Sequence, residues 1–210
     1  MSAKITWVGH ACFKIEKDGF AVVTDPYEDG SVPGLRPVRE QANLVLASHE
    51  HGDHNARQLV KVEEADCPFT ITQIATWHDE VKGAKRGPNT IYILEAEGLR
   101  IAHLGDLGCD LEEAQIAQLK GLDVCMIPVG GFYTIDGLQA AELVKKLQPK
   151  VAVPMHFRDD AAGFGFDVIS EADVFAGQFD SVCRMPGSTL DPEALPDAQV
   201  VILHPQNLAR

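Results

Sequence analysis

The stretch His49-Glu50-His51-Gly52-Asp53-His54 places three imidazoles and a carboxylate within six residues. Neutral imidazole and carboxylate oxygen are the donors that zinc, manganese and iron accept, so the chemistry open to this stretch is metal chemistry. Four side chains cannot complete two coordination spheres, and a full centre needs donors from later in the chain. Leu44-Val45-Leu46-Ala47, just before it, is a short apolar run of the buried-strand type, and Asn55 after it can cap a helix. The donors therefore sit on a loop at a strand's C-terminal end, where open α/β sheets carry their chemistry.

The elements that must position these groups read largely as strands that end in polar residues. Strands are predicted over 5–8, 11–15 and 20–23, the last two joined by the turn Lys17-Asp18-Gly19. His10 lies between the first two strands. The third ends in Thr24-Asp25-Pro26, where proline stops the ladder and leaves Asp25 at that edge. Residues 27–40 contain Gly30, Pro33, Gly34 and Pro37 and predict a long irregular loop of the lid or binding kind. A helix is predicted over 55–64, and a strand over 69–74 delivers His78.

Strands over 91–95 and 99–104, joined at Glu97-Gly98, lead into His103-Leu104-Gly105-Asp106. An aspartate there can bridge two metals through its oxygens. A helix over 111–120 precedes a buried strand over 122–129 that ends at Gly130-Gly131. Asp136 then caps a helix with apolar positions Leu138, Ala141, Leu143, Val144 and Leu147, closed by Pro149. A strand over 151–156 ends in His156. The tail predicts a helix over 170–179 capped by Ser170 and a strand over 200–203. His204, with no partner residue type beside it, reads as structural. Gly163-Phe164-Gly165-Phe166 lacks the spaced third glycine of a nucleotide-binding loop.

Composition sets the outer bounds. A chain of 210 residues, 45% hydrophobic and 23% charged, without linker, low-complexity tract or repeat, fits one globular domain over 1–210. Acidic residues outnumber basic ones 31 to 18, for a formal charge of -13. That charge disfavours nucleic acid and anionic membranes as partners, while a positive pocket still admits a small anionic molecule. The 5 cysteines form no Cys-x-x-Cys pair and fit reduced thiols. The start Met1-Ser2-Ala3-Lys4 runs into a strand without a secretory apolar stretch, and no run of about 18 apolar residues occurs, so a cytoplasmic protein is expected.

Taken in order, His49, His51, Asp53, His54, His78, Asp106 and His156 make the chain resemble the metallo-β-lactamase fold superfamily of binuclear metal hydrolases over nearly its whole length. Within that superfamily it is similar to the UlaG-like branch of predicted zinc-dependent hydrolases, related to ascorbate-6-phosphate lactonase. Gly9-His10-Ala11, Thr24-Asp25-Pro26, His78-Asp79, Arg86-Gly87, Asn89-Thr90, His103-Leu104-Gly105-Asp106, Ile127-Pro128-Val129-Gly130-Gly131 and Pro154-Met155-His156 carry that likeness. The resemblance implies an α/β (α+β) fold, a four-layer αββα sandwich with the metals at one edge of its two sheets. It further implies that His49, His51 and His78 hold a first metal, that Asp53, His54 and His156 hold a second, and that Asp106 bridges them. Phe157 departs from the pattern, since relatives in this branch often carry tyrosine after the last ligand.

The expected function is metal-dependent hydrolysis of a small substrate, anionic ones included. A hydroxide bridged between two divalent metals, zinc before manganese or iron, attacks an ester-type bond of a lactone, phosphodiester or thioester. Two such ions bring the pKa of a bound water down to about 7. Asp53 is expected to bind metal and orient that hydroxide, and Asp25 to fix a ligand histidine from behind. His103 or His10 is expected to protonate the leaving group or bind substrate, and Arg86 to pair with an anionic group. Two other expectations compete. The same donors around iron suit redox chemistry, and a chain that kept only the fold would be a non-enzymatic metal- or ligand-binding module. The full series of candidate ligands favours the hydrolase.

Overall fold

The computed structural model describes residues 3–209; Met1 and Ser2, part of the start on which the cytoplasmic expectation rests, and Arg210 lie outside the described residues. In chain order the strands are β1 (Lys4–Gly9), β2 (Cys12–Lys17), β3 (Phe20–Thr24), β4 (Gln41–Ala42), β5 (Leu44–Leu46), β6 (Lys61–Val62) and β7 (Thr70–Trp77). They continue as β8 (Pro88–Ala96), β9 (Leu99–His103), β10 (Val124–Pro128), β11 (Val151–Met155), β12 (Val182–Arg184), β13 (Thr189–Leu190) and β14 (Val200–Ile202). The helices are α1 (Glu113–Gln118), α2 (Gly137–Leu147) and α3 (Asp173–Ala176).

Two sheets face a common core. The smaller has the order β13-β1-β2-β3-β5, an antiparallel meander to which β5 adds parallel to β3. The larger has the order β12-β14-β11-β10-β9-β8-β7, parallel from β12 to β9 and antiparallel from β9 to β7. Every residue of β10 and β11 is buried, as strands of a parallel sheet covered on both faces must be. Trp7 and Phe13 from one sheet join Ile93, Leu94 and Met126 from the other in one apolar cluster. The tight turns Asp18-Gly19 and Glu97-Gly98 have positive φ at both residues, the backbone that matches the right-handed twist of a hairpin.

All three helices lie on crossovers of the larger sheet: α1 between β9 and β10, α2 between β10 and β11, and α3 between β11 and β12. Among the described residues no α-helix lies in the connections of the smaller sheet. The Asp136 carboxylate accepts hydrogen bonds from the Leu138 and Gln139 N–H groups, and Gln139 reciprocates by accepting from the Asp136 N–H. That helix buries Ala140, Ala141, Val144 and Leu147, whereas Leu138, expected on the apolar face, is 53% exposed.

Several predicted elements take another form. The helix expected over 55–64 is a single 3-10 turn over Arg57–Leu59 followed by β6. Its backbone donors go elsewhere, Ala56 N–H to the Pro26 carbonyl, Lys61 N–H to Glu40 and Glu63 N–H to Ala42. The helix expected over 170–179 shrinks to α3, preceded by Ala172 rather than capped by Ser170. Ser170 instead links the Gly130 carbonyl to the Arg158 N–H. The buried strand expected at 44–47 is half-buried over Leu44–Leu46. The short strands β4, β6, β12 and β13 carry no readable alternation in the sequence. Residues 27–40 are irregular as expected, yet Tyr27, Val32 and Val38 anchor them in the core, so they form a packed wall.

One backbone turn, at Gly105 two residues past the end of β9, places Asp106 and admits only glycine without strain. Its φ of +56° is left-handed, and a Cβ built there would lie 2.3 Å from Asn89 Oδ1 and 2.4 Å from Ser48 Cβ. Gly105→Ala is expected to lower the unfolding free energy by more than about 1 kcal/mol from the backbone alone. Urea denaturation measures this, and an unchanged midpoint would show that the turn relaxes freely.

Candidate metal centre

The candidate donors converge because they follow the C-terminal ends of strands that run in the same direction within their sheet, β3 and β5 in the smaller and β7, β9 and β11 in the larger. Asp25 follows β3, the His49 loop follows β5, His78 follows β7, Asp106 follows β9 and its turn, and His156 follows β11. The parallel pairing of Val22, Val23 and Thr24 with Leu44, Val45 and Leu46 sets Asp25 beside Ser48. The Asp25 N–H extends that ladder to the Leu46 carbonyl at 2.8 Å. Within the ligand loop, His54 and Asn55 N–H groups donate to the His51 carbonyl, folding the six residues into a tight turn.

Asp25 is fully buried and saturated. It accepts from the Ser48 N–H at 2.7 Å, from the Ser48 hydroxyl at 2.6 Å and from His54 Nδ1 at 2.9 Å. Since the single Ser48 hydroxyl hydrogen goes to the carboxylate, the Ser48 oxygen must accept from His49 Nδ1, 2.9 Å away. One carboxylate thus fixes two tautomers, and the Nε2 lone pairs of His49 and His54 both point inward. On the opposite side Asn89 accepts from the Asp106 N–H at 2.9 Å and donates to Thr76 Oγ1 and the Leu104 carbonyl, which fixes the Asp106 turn.

The inward atoms meet at Asp106, which is 1% exposed. Its Oδ2 lies 3.1 Å from His54 Nε2, 3.1 Å from His78 Nε2, 3.2 Å from His156 Nε2 and 3.9 Å from His49 Nε2. Asp53 Oδ2 lies 3.6 Å from His54 Nε2 and 3.4 Å from His10 Nε2. Donor atoms sort into a group from His49, His51 and His78 and a group from His10, Asp53, His54 and His156, each within 4.8 Å. The Nε2 atoms of His10, His49, His54, His78 and His156 are buried without a hydrogen-bond partner, as is Asp106 Oδ1.

These residues fit divalent cations. Two donors each about 2.1 Å from one ion stand about 3.0 to 3.5 Å apart in octahedral or tetrahedral coordination, the separation seen here. Burial lowers His49 to about 3, with the neighbouring His54 adding to the effect, so it is neutral, as a metal ligand must be. Burial works in the same direction on His54, but Asp106 and Asp25 outweigh it and raise that group well above 6.5. A proton on His54 relieves the His54–Asp106 contact alone. A cation relieves every lone pair turned toward it.

A pocket of about 520 Å³ opens over this floor, lined by Ser31, His51, Gly52, Asp53, His78, Arg86, Asp106, Tyr133 and Phe166. Ser31 comes from the 27–40 segment. Arg86 lies in the wall with its guanidinium 5.6 Å from the Tyr133 ring centre, and among the described residues it forms no ion pair. Its loop is held by Asp79, whose carboxylate accepts from the Val81, Gly83, Lys85 and Arg86 N–H groups. Burial would raise the Asp79 carboxyl, yet these donors bring it down to about 2.

A family model described as a beta-lactamase superfamily domain matches residues 4–156, a span that holds every candidate ligand. The chain belongs to the metallo-β-lactamase superfamily. Its relatives include a UPF0173 metal-dependent hydrolase from Methanopyrus kandleri, 29% identical over 73% of this chain and 84% of that protein. A UPF0173 protein from Pyrococcus furiosus is 31% identical over 73% of this chain and 83% of its own length. A crystal structure of a superfamily member from Thermotoga maritima is 33% identical, covers 97% of this chain and 100% of that one, and superposes with a TM-score of 0.76. As a member of the metallo-β-lactamase superfamily this protein is a metal-dependent hydrolase with the mixed α/β fold of its neighbours. No helix among the described residues is long and apolar enough to cross a membrane.

Two expected catalytic residues occupy other posts. His103 is fully buried beneath the site; its Nδ1 accepts from the Gly105 N–H, so Nε2 carries the hydrogen and donates to the Ala11 carbonyl at 2.8 Å. With both nitrogens bonded to backbone, it supports the Asp106 turn and has no nitrogen turned to the pocket. His10 does not line the pocket either and joins the donor group of Asp53, His54 and His156. Phe157 packs on Trp7 and Phe164, so a hydroxyl at that position would face the core. Ser48, Tyr133 and Phe166 escape a reading by spacing, since serine and aromatic residues are common and nothing in one dimension aims them; only Gly130-Gly131 marks the turn that presents Tyr133.

Asp25→Asn replaces one acceptor oxygen by an NH2 group that must face a donor of Ser48 or His54. Zinc affinity is expected to fall about 10- to 100-fold, measured by competition with a chromophoric chelator. Unchanged affinity would mean that the tautomers are set without Asp25.

Proposed function

We propose that this chain, acting as one domain, is a two-zinc hydrolase that cleaves an ester-type bond of a small anionic substrate, a lactone, phosphodiester or thioester. The observation that carries the reading is the sharing of one buried carboxylate, Asp106, between two groups of donors beneath a single pocket. In this reading His49, His51 and His78 hold one ion, Asp53, His54 and His156 hold the other, and Asp106 touches both. Bound there, the ions activate water as the nucleophile and polarise the substrate oxygen that gains charge.

The chain's own residues do the remaining work. Asp25 keeps His54, and through Ser48 also His49, in the tautomer that can bind. Asp53 is the one ligand carboxylate with sizeable exposure to the pocket, its side chain 24% accessible, so it is the group placed to orient the attacking water. Arg86, without an acidic partner among the described residues of a chain of net charge -13, supports recognition of an anionic substrate group. Among the described residues Tyr133 supplies the one phenol of the wall, a hydroxyl able to hydrogen-bond a polar substrate group.

Plasma mass spectrometry on protein purified without added metal or a metal-affinity tag is expected to give two ions per chain, mainly zinc. A panel of lactones, phosphodiesters and thioesters then identifies the bond. With an active ester in hand, Arg86→Ala is expected to lower kcat/KM for the anionic substrate by about 10-fold or more while leaving a neutral analogue within about 2-fold. Equal losses on both would remove Arg86 from substrate recognition, and a chain that binds no metal after incubation with zinc and manganese would overturn the two-metal reading.

A further inference from the structure

His10 has no role in the two-metal reading, yet the backbone around it is arranged to bring it to the site. Strand β1 shifts register between Trp7 and Gly9, Gly9 has φ of 148° and His10 itself has φ of 57°, a left-handed conformation uncommon outside glycine. The His10 carbonyl accepts from Trp7 Nε1 at 2.9 Å and from the His156 N–H at 3.3 Å, which locks the turn. Such a conformation persists only where the surroundings over-determine it, and such sites are enriched in function. The result is a ring 4.1 Å from that of His156 and 5.2 Å from that of His54, centre to centre.

The ring is 1% exposed and neither nitrogen has a hydrogen-bond partner. A buried polar group left so is rare and calls for a partner. Asp53 Oδ2, at 3.4 Å, is farther than the roughly 2.7 to 2.9 Å of a charge-assisted N–H···O bond. That separation does suit two ligands of one ion. A role toward substrate is closed to it, because it lies behind Asp53 and off the pocket wall.

We propose that His10 is a direct ligand of the second metal, beside Asp53, His54, His156 and the shared Asp106. The inference rests on the two-metal reading and makes its two positions unequal. The second then has the larger set of protein donors, all buried but Asp53, and binds more tightly, while the first, with the exposed His51 among its ligands, binds more weakly and exchanges.

The test uses zinc alone. Wild-type protein stripped with a chelator is retitrated against a chromophoric competitor, and the zinc-loaded protein is crystallised with anomalous diffraction at the zinc edge. Wild type is expected to take two ions of unequal affinity, with a His10 ring nitrogen within about 2.2 Å of the more buried one. His10→Ala is expected to weaken the tighter site by about 10-fold or more and leave the other within about 2-fold. Two ions bound by His10→Ala as tightly as by wild type, or a His10 nitrogen more than about 3 Å from both ions in the wild-type crystal, would overturn the proposal and leave the two-metal reading intact. Fewer than two ions on the wild type would overturn both. The crystal answers for wild type even if the variant does not fold.

Discussion

Asp25 carries a full negative charge where no water reaches it, and the site depends on how that charge is satisfied. An unpaired buried carboxylate is costly enough that it would protonate instead. Here burial pushes the carboxyl upward, and the field of the neighbouring His103 and His54 imidazoles, with the His54 and Ser48 bonds, outweighs it and holds the group below the usual carboxylate range. Each of those bonds also does something for the ligand loop. The Ser48 N–H bond pins the start of the loop and the Ser48 hydroxyl bond passes orientation to His49, while the His54 bond closes the far end. None would exist without the parallel β3–β5 register, so strand pairing reaches the tautomers of two imidazoles through a single carboxylate.

The donors come from both sheets. The smaller sheet and its loops give His10, Asp25 and the His49–His54 turn, and the larger gives His78, Asp106 and His156. A cation held by both sets joins the sheets at the edge where their apolar core ends, and its binding free energy then adds to the stability of the packed form. The same arrangement accounts for the unpaired inward Nε2 atoms of His49, His54, His78 and His156, which stand around Asp106 at the separations of donors that share a cation.

How much of this was legible in the sequence differs by scale. The ligand loop and the strand ends bearing His78, Asp106 and His156 stand out because dense histidine and aspartate after apolar runs rarely serve packing or solubility. The stretch 55–64 misled because Ala56, Leu59 and Val60 have helical spacing, and only the tertiary partners Pro26, Glu40 and Ala42 decide where the backbone donors go. His103 and His10 were indistinguishable in one dimension from proton donors. What separates them is access: both are buried, one with its nitrogens tied to backbone and the other with its nitrogens free beside Asp53. Ser48 was invisible for the opposite reason, since a serine before a histidine is unremarkable until a carboxylate arrives from a strand more than twenty residues earlier.

The floor and the rim of the pocket obey different constraints. Floor residues follow strand ends, and His49, His54 and the Asp106 turn among them are held by buried hydrogen bonds that they share with Asp25, Ser48 and Asn89. Rim residues Ser31, Arg86, Tyr133 and Phe166 sit on loops whose anchoring is separate from the groups they present. The loop bearing Arg86 is the clearest case. Asp79 gathers four of its backbone N–H groups, so the loop keeps its shape whatever side chain stands at position 86, and the guanidinium is left to a Tyr133 ring and to whatever enters. A fold built this way can keep its donor set while its substrate changes, so the substrate must be read from the rim.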